Sequence, residues 1–159
     1  MKLVIVAVAL AAAFPAAAHA DTSHKGWPKF DTKPWINKTD RVTTHHGSTK
    51  NDEILGGHRD DTLFGEGGRD VLWGDYKPSG QTTAQHDQIW GGPGRDHIYA
   101  SHGRNAIRAG GGNDWIKAHF GRGLVNCGGG NDLLYVSRRA QKGYKIRNCE
   151  RISHKTLGR

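Results

Sequence analysis

Gly91-Gly92-Pro93-Gly94-Arg95-Asp96-His97-Ile98-Tyr99 decides the fold, because its pattern returns every nine residues between Gly47 and Tyr135. In that frame the eighth position holds Ile54, Leu63, Leu72, Ile89, Ile98, Ile107, Ile116, Val125 and Leu134, all aliphatic. The sixth holds Asp52, Asp61, Asp70, Asp87, Asp96, Asn105, Asp114, Gly123 and Asp132. An α-helix repeats near 3.6 residues and gains nothing from one apolar side chain per nine amid glycines. A coil that completes half a circuit per unit does. Each unit then supplies a strand of about three residues, with the aliphatic side chain inward and its neighbours outward. Glycines before the strand supply left-handed turn angles. Two units close one coil, and successive coils stack at about 4.8 Å. The expected fold is all-β: a flattened parallel β-roll, or β-solenoid, with two parallel sheets and turns along both edges.

The frame also sets the organisation. Regular units run 47–55, 56–64 and 65–73, then 91–99 through 127–135. The unit 74–90 is eight residues too long, and Tyr76-Lys77-Pro78-Ser79-Gly80 are loop formers, so a loop insertion is expected at about 74–81. Residues 21–46 lack a clear period and read as an irregular lead-in whose Trp27, Phe30 and Trp35 cover an open solenoid end. Residues 136–159 turn basic and read as a C-terminal cap built on Ile146, Cys149 and Ile152.

Alternating units put different residues on the two edges. One edge carries Asp52, Asp70, Asp96, Asp114 and Asp132; the other carries Asp61, Asp87, Asn105 and Gly123. Calcium takes six to eight oxygens from carboxylates and backbone carbonyls, which stacked aspartate turns offer. Calcium is therefore expected on the first edge, bridging Asp70 with Asp96, Asp96 with Asp114, and Asp114 with Asp132. Turn glycines Gly91, Gly94, Gly110, Gly112, Gly128 and Gly130 would open their carbonyls to the ion. Asp52 with Asp70 is a weaker pair. Asp61 with Asp87 is the best chance on the second edge, where Arg59 replaces a turn glycine. Substituting Asn105 by Ala is expected to be nearly silent in a calcium titration.

This constellation resembles the hemolysin-type, or repeats-in-toxin, calcium-binding family over about residues 47–135. The resemblance implies a parallel β-roll with calcium in its turns, and the aspartates named above fill the family's ligand position. The Cys127-Gly-Gly-Gly-Asn-Asp unit followed by Asn148-Cys149-Glu150-Arg151-Ile152 looks like small exported bacterial members. Two departures stand out. The expected leader is amino-terminal rather than carboxy-terminal, and the chain is basic where large family repeats are usually acidic.

Residues 1–20 read as a cleavable signal peptide: Lys2, an apolar run from Leu3 to Phe14, then Ala18-His19-Ala20. No other stretch is apolar and long enough for a transmembrane segment. Secretion implies an oxidising compartment, where the cysteine pair Cys127 and Cys149 reads as a disulfide. Their spacing is one coil plus four residues, which places them on adjacent coils. The formal net charge of +8 falls by one without Lys2. Such a surface is compatible with a polyanionic surface or polysaccharide as partner. No motif specifies a nucleic-acid partner.

Catalytic residues: none are expected. His45-His46 and the other histidines lack the spacings of a metalloprotease or a hydrolase. Outward aromatics Phe64, Trp73, Trp90, Tyr99 and Tyr135 read as a cross-strand ladder, with a stacking platform for sugars as the alternative. Arginines at the fifth position (Arg69, Arg95, Arg104 and Arg122) read as solvated charge along the turns, with a grip on phosphate or sulfate as the alternative. The functional expectation is a secreted calcium-binding repeat protein with a binding or structural role. A carbohydrate- or surface-binding protein is the alternative, and a solenoid lyase or nuclease stands behind both.

Overall fold

The computed structural model describes residues 26–77 and 83–155. The signal-peptide segment, the start of the lead-in and residues 78–82 of the insertion lie outside the described residues.

Two parallel sheets face each other. One takes strands β1 (Trp35–Ile36), β3 (Glu53–Leu55), β5 (Val71–Trp73), β7 (His97–Tyr99), β9 (Trp115–Lys117), β11 (Leu133–Tyr135) and β13 (Arg151–Ser153) in spatial order. The other takes β2 (Thr43–Ser48), β4 (Asp61–Glu66), β6 (His86–Pro93), β8 (Arg104–Gly111), β10 (Arg122–Gly129) and β12 (Tyr144–Arg147). Every pairing is parallel and joins equivalent positions of successive coils, as in Leu72 with Ile98 and Ile98 with Ile116. The chain is a β-solenoid of about six turns.

The core is the eighth-position column. All nine aliphatics are at most 1% exposed, and they form one continuous cluster. Ala109, Ala118, Cys127 and Val136 flank the column in the same cluster, so the interior is a narrow file of side chains in contact with their neighbours above and below.

Both ends differ from the sequence expectation. The lead-in contributes β1 and β2, and Trp35 stacks on the inward His45 at 4.0 Å, closing the first coil. Trp27 crosses to the outer face, where its Nε1 donates to the Tyr99 hydroxyl at 2.7 Å. Beyond Tyr135, the expected cap adds one more strand to each sheet, β12 and β13. Between them and the last regular unit sits the one-turn helix α1 (Arg138–Gln141), capped by the Ser137 hydroxyl. Cys127 and Cys149 are disulfide-bonded with Cα atoms 5.1 Å apart, tying that last rung to its predecessor.

The outward aromatics are engaged with one another. Trp73 stacks on Tyr99 at 4.5 Å on one sheet. On the other, His46, Phe64 and Trp90 stack at 4.3 and 4.7 Å, and Arg108 lies over Trp90 at 5.3 Å. This is the cross-strand ladder; it leaves few ring faces free for a sugar.

Candidate metal centre

The turns leading into β3, β5, β7, β9, β11 and β13 form one edge. Its backbone repeats closely. The second turn position has positive φ at Glu66 (71°), Gly92 (103°), Gly110 (116°) and Gly128 (109°). The fourth does too, at Gly68 (125°), Gly94 (150°), Gly112 (131°) and Gly130 (138°). At the fourth position glycine is also required by contact. A Cβ on Gly94, Gly112 or Gly130 would fall within 1.5 to 1.6 Å of the carbonyl oxygen one coil earlier. Gly91 sits at the first position, not the second, so the equivalent of Gly110 and Gly128 is Gly92, which sequence reasoning missed.

These turns stack the carboxylates into a ladder. Asp70 Oδ1 accepts the Asp52 N–H at 2.8 Å, and Asp96 Oδ1 accepts that of Asp70 at 2.9 Å. Asp114 Oδ1 accepts the Asp96 N–H at 2.9 Å, and Asp132 Oδ1 accepts that of Asp114 at 2.7 Å. Glu150 Oε2 extends the series by accepting the Asp132 N–H at 2.9 Å. Glu150 was not singled out from sequence, although one coil beyond Asp132 falls on it. Each aspartate of the column is at most 5% exposed.

The second oxygens decide what the ladder is for. Oδ2 of Asp70, Asp96, Asp114 and Asp132 is buried and accepts no hydrogen bond. An orphaned buried carboxylate oxygen is costly, more so than an orphaned neutral group. Backbone carbonyls face the same space. A Cβ added to Gly65 would lie 2.5 Å from both Asp70 Oδ2 and Gly91 O of the next coil, and one added to Gly91 would lie 2.5 Å from Asp96 Oδ2 and 2.2 Å from Ala109 O, so the glycines leave carboxylate and carbonyl oxygens close together. Burial, the first cause, raises the Asp70 carboxyl to about 7, Asp96 to about 8 and Asp114 to about 6, and it raises Asp132 as well. Neighbouring carboxylates in the column push the same way. The column thus gathers buried carboxyls that the protein leaves short of donors, where ionisation is opposed unless a cation accompanies it. Among the described residues no three His, Cys, Asp or Glu side chains converge on one point. A cation there would take most of its oxygens from backbone carbonyls, the mixed donor set that suits a hard ion such as calcium.

Asp52 lies at the end of this column and differs. Its Oδ2 accepts the Ser48 N–H at 2.7 Å and the Ser48 hydroxyl at 2.8 Å, and its Oδ1 accepts the Thr32 hydroxyl. Ser48 of its own turn and Thr32 of the lead-in occupy its oxygens.

The second edge is also brought together, but with its oxygens taken. Asp87 Oδ1 accepts the Asp61 N–H at 3.0 Å, and Asp87 Oδ2 accepts from Gln85 Nε2 at 3.3 Å. Asp61 accepts from Gly57 N–H at 2.7 Å and from Asn37 Nδ2 at 3.1 Å. Burial still raises Asp61 to about 6 and Asp87 to about 7. Asn105 is buried in a network. Its Oδ1 accepts from Ser101 N–H and hydroxyl at 3.0 and 2.8 Å, and its Nδ2 donates to the Tyr144 hydroxyl at 3.0 Å. Removing the Asn105 side chain would orphan several buried groups, a cost to stability that is separate from calcium binding.

A β-solenoid with a file of buried acids along one edge defines a class of metal-binding repeat proteins. Residues 46–75 and 81–119 match the RTX calcium-binding nonapeptide repeat, in four copies. Residues 46–119 thus carry the repeat of that hemolysin-type family. No curated protein and no solved structure matches the chain.

Proposed function

We propose that this is a secreted protein in which calcium, held along the first edge, completes the fold, and whose role is binding or structural support without catalysis. The single observation that carries the reading is the column of four buried carboxylate oxygens without partners. Asp70, Asp96, Asp114 and Asp132 would hold the ions, with carbonyl oxygens of the turn glycines, Gly91, Gly94, Gly110, Gly112, Gly128 and Gly130, completing the sets. Glu150 would serve the last position. Bound calcium supplies positive charge where burial has left carboxylates uncompensated, and metal that binds only the folded form stabilises it by mass action. The second edge achieves the same saturation with Asn37, Gln85, Ser101 and Tyr144 and needs no ion.

Secretion rests on the leader-like residues 1–20, and the disulfide fits an oxidising compartment. The structural role is supported by how the carboxylates are used: Oδ1 of Asp70, Asp96, Asp114 and Asp132 is fixed by a backbone N–H, the posture of a ligand rather than of a proton shuttle. Isothermal titration of the purified protein with calcium tests the reading. Uptake of several ions per chain is expected, abolished stepwise by Asp96→Ala and Asp114→Ala. No heat of binding would end it.

A further inference from the structure

We propose that the outer face of the six-stranded sheet, between β6 and β12, is a binding trough for an acidic polysaccharide. Strand register builds it from three rows running across the sheet. The first row is His86, Arg104, Arg122; the middle row is Gln88, Ala106, Leu124, Lys145; the third is Trp90, Arg108, Asn126, Arg147. Alternation turns all three outward, because Ile89, Ile107 and Val125 between them are buried in the core. A low floor of Ala106 and Leu124 thus runs between two cationic walls, and Lys145 stands at its end. The depression encloses about 360 Å³, and no acidic residue lines it.

The cations are available. Arg104, Arg108, Arg122, Lys145 and Arg147 are all exposed. Among the described residues none of the five forms an ion pair. Five unpaired cations on one face create a focused positive potential. Guanidinium groups bind carboxylate and sulfate through paired N–H donors.

The neighbouring rings select the kind of polyanion. A single-stranded nucleic acid is held by bases stacking on free aromatic faces. Here Phe64 and Trp90 face each other at 4.7 Å, and Arg108 covers Trp90 at 5.3 Å. A pyranose needs no ring slot; its C–H face fits a shallow apolar floor while its acid groups reach the walls. The rows step at about 4.8 Å and cross three strand gaps, roughly 14 Å in all, which suits a short run of a linear glycan. The trough lies on a sheet face, away from the carboxylate column, so it stands or falls independently of calcium there.

Fluorescent heparin and polygalacturonate, binding to the full-length, calcium-saturated protein, form the test; the two probes separate sulfate from carboxylate recognition. At least one should bind. R104Q/K145Q/R147Q should weaken that binding tenfold or more, and the charge-matched K29Q/K33Q/K38Q should change it less than twofold. Equal losses in both triple variants would reduce the effect to net charge and overturn the proposal. So would the absence of binding to either glycan, or single-stranded DNA displacing the glycan at equal concentration. Acetylation of the unsubstituted protein checks the same point without relying on a variant's folding. Bound glycan should shield Lys145 at least threefold more than Lys38, and equal labelling would overturn the proposal.

Discussion

The two edges of the solenoid solve one problem differently. Each must place acidic or amide side chains inside tight turns, coil after coil. On the second edge, Asp61, Asp87 and Asn105 find donors within the protein: Asn37, Gly57, Gln85 and Ser101. On the first, Asp70, Asp96, Asp114 and Asp132 each keep one oxygen unanswered. The carboxyls on both edges are raised by burial, so burial does not distinguish them. What differs is saturation. An edge with varied side chains can satisfy itself; an edge stripped to glycine and aspartate depends on something from solvent.

Removing calcium should give the largest effect. Each ion at a concentration a hundredfold above its Kd stabilises by about 2.7 kcal/mol, and each kcal/mol moves Tm by roughly 2–4 °C at this size. Scanning calorimetry in chelator should therefore show Tm falling by well over about 10 °C for three sites. Hydrogen exchange should rise first at the turns of the first edge. Matching curves with and without calcium would erase the contrast between the edges.

Asp96→Asn comes next. The amide oxygen keeps the Asp70 N–H bond and loses the charge, so titration should register fewer ions bound while circular dichroism in calcium stays native. Asn105→Ala is the mirror experiment. It should lower stability by about 1–3 kcal/mol through orphaned hydrogen-bonding groups, with calcium stoichiometry intact. A changed stoichiometry would mean that the edges are not separate.

The smallest expected effect is a pH slope. A carboxyl whose folded pKa is raised favours the fold when protonated, and that contribution is lost as pH climbs through the folded value. His97 acts in the opposite sense: burial lowers it to about 4, so its contribution is lost as pH falls below its ordinary value. Between about pH 7 and 8 the histidines are nearly all neutral in both states and the carboxyls dominate the slope. There the chelated protein should lose Tm as pH rises, through Asp70, Asp87 and Asp96. Calcium should flatten most of the slope and leave the part due to Asp87. An unchanged slope in calcium would show that the ion does not reach the column.

The inward file was legible because one aliphatic per nine residues fits few architectures besides a stacked coil, and Ile54 through Leu134 all proved buried. The aspartate column followed from the same arithmetic. The ends were not legible. Trp35-Ile36 and Tyr144–Arg147 join the sheets by backbone pairing, which leaves little periodic trace in so short a segment. Glu150 keeps the eighteen-residue spacing from Asp132 but was hidden because the glycine turn that marks the other acids is missing before it. Which oxygens stay unpaired was equally invisible. It depends on contacts between coils, such as Ser48 and Thr32 with Asp52 at one end and nothing comparable at Asp114.

The carboxylate ladder has a direction. Every amide in it donates forward, from one coil to the acid of the next, and Glu150 receives the last bond beside the Cys127–Cys149 bridge. A nascent polypeptide delivered amino terminus first therefore always ends in a turn still waiting for its acceptor. Such a chain matures by arrival of its tail, and a truncation before Glu150 would leave the final rung permanently unlatched.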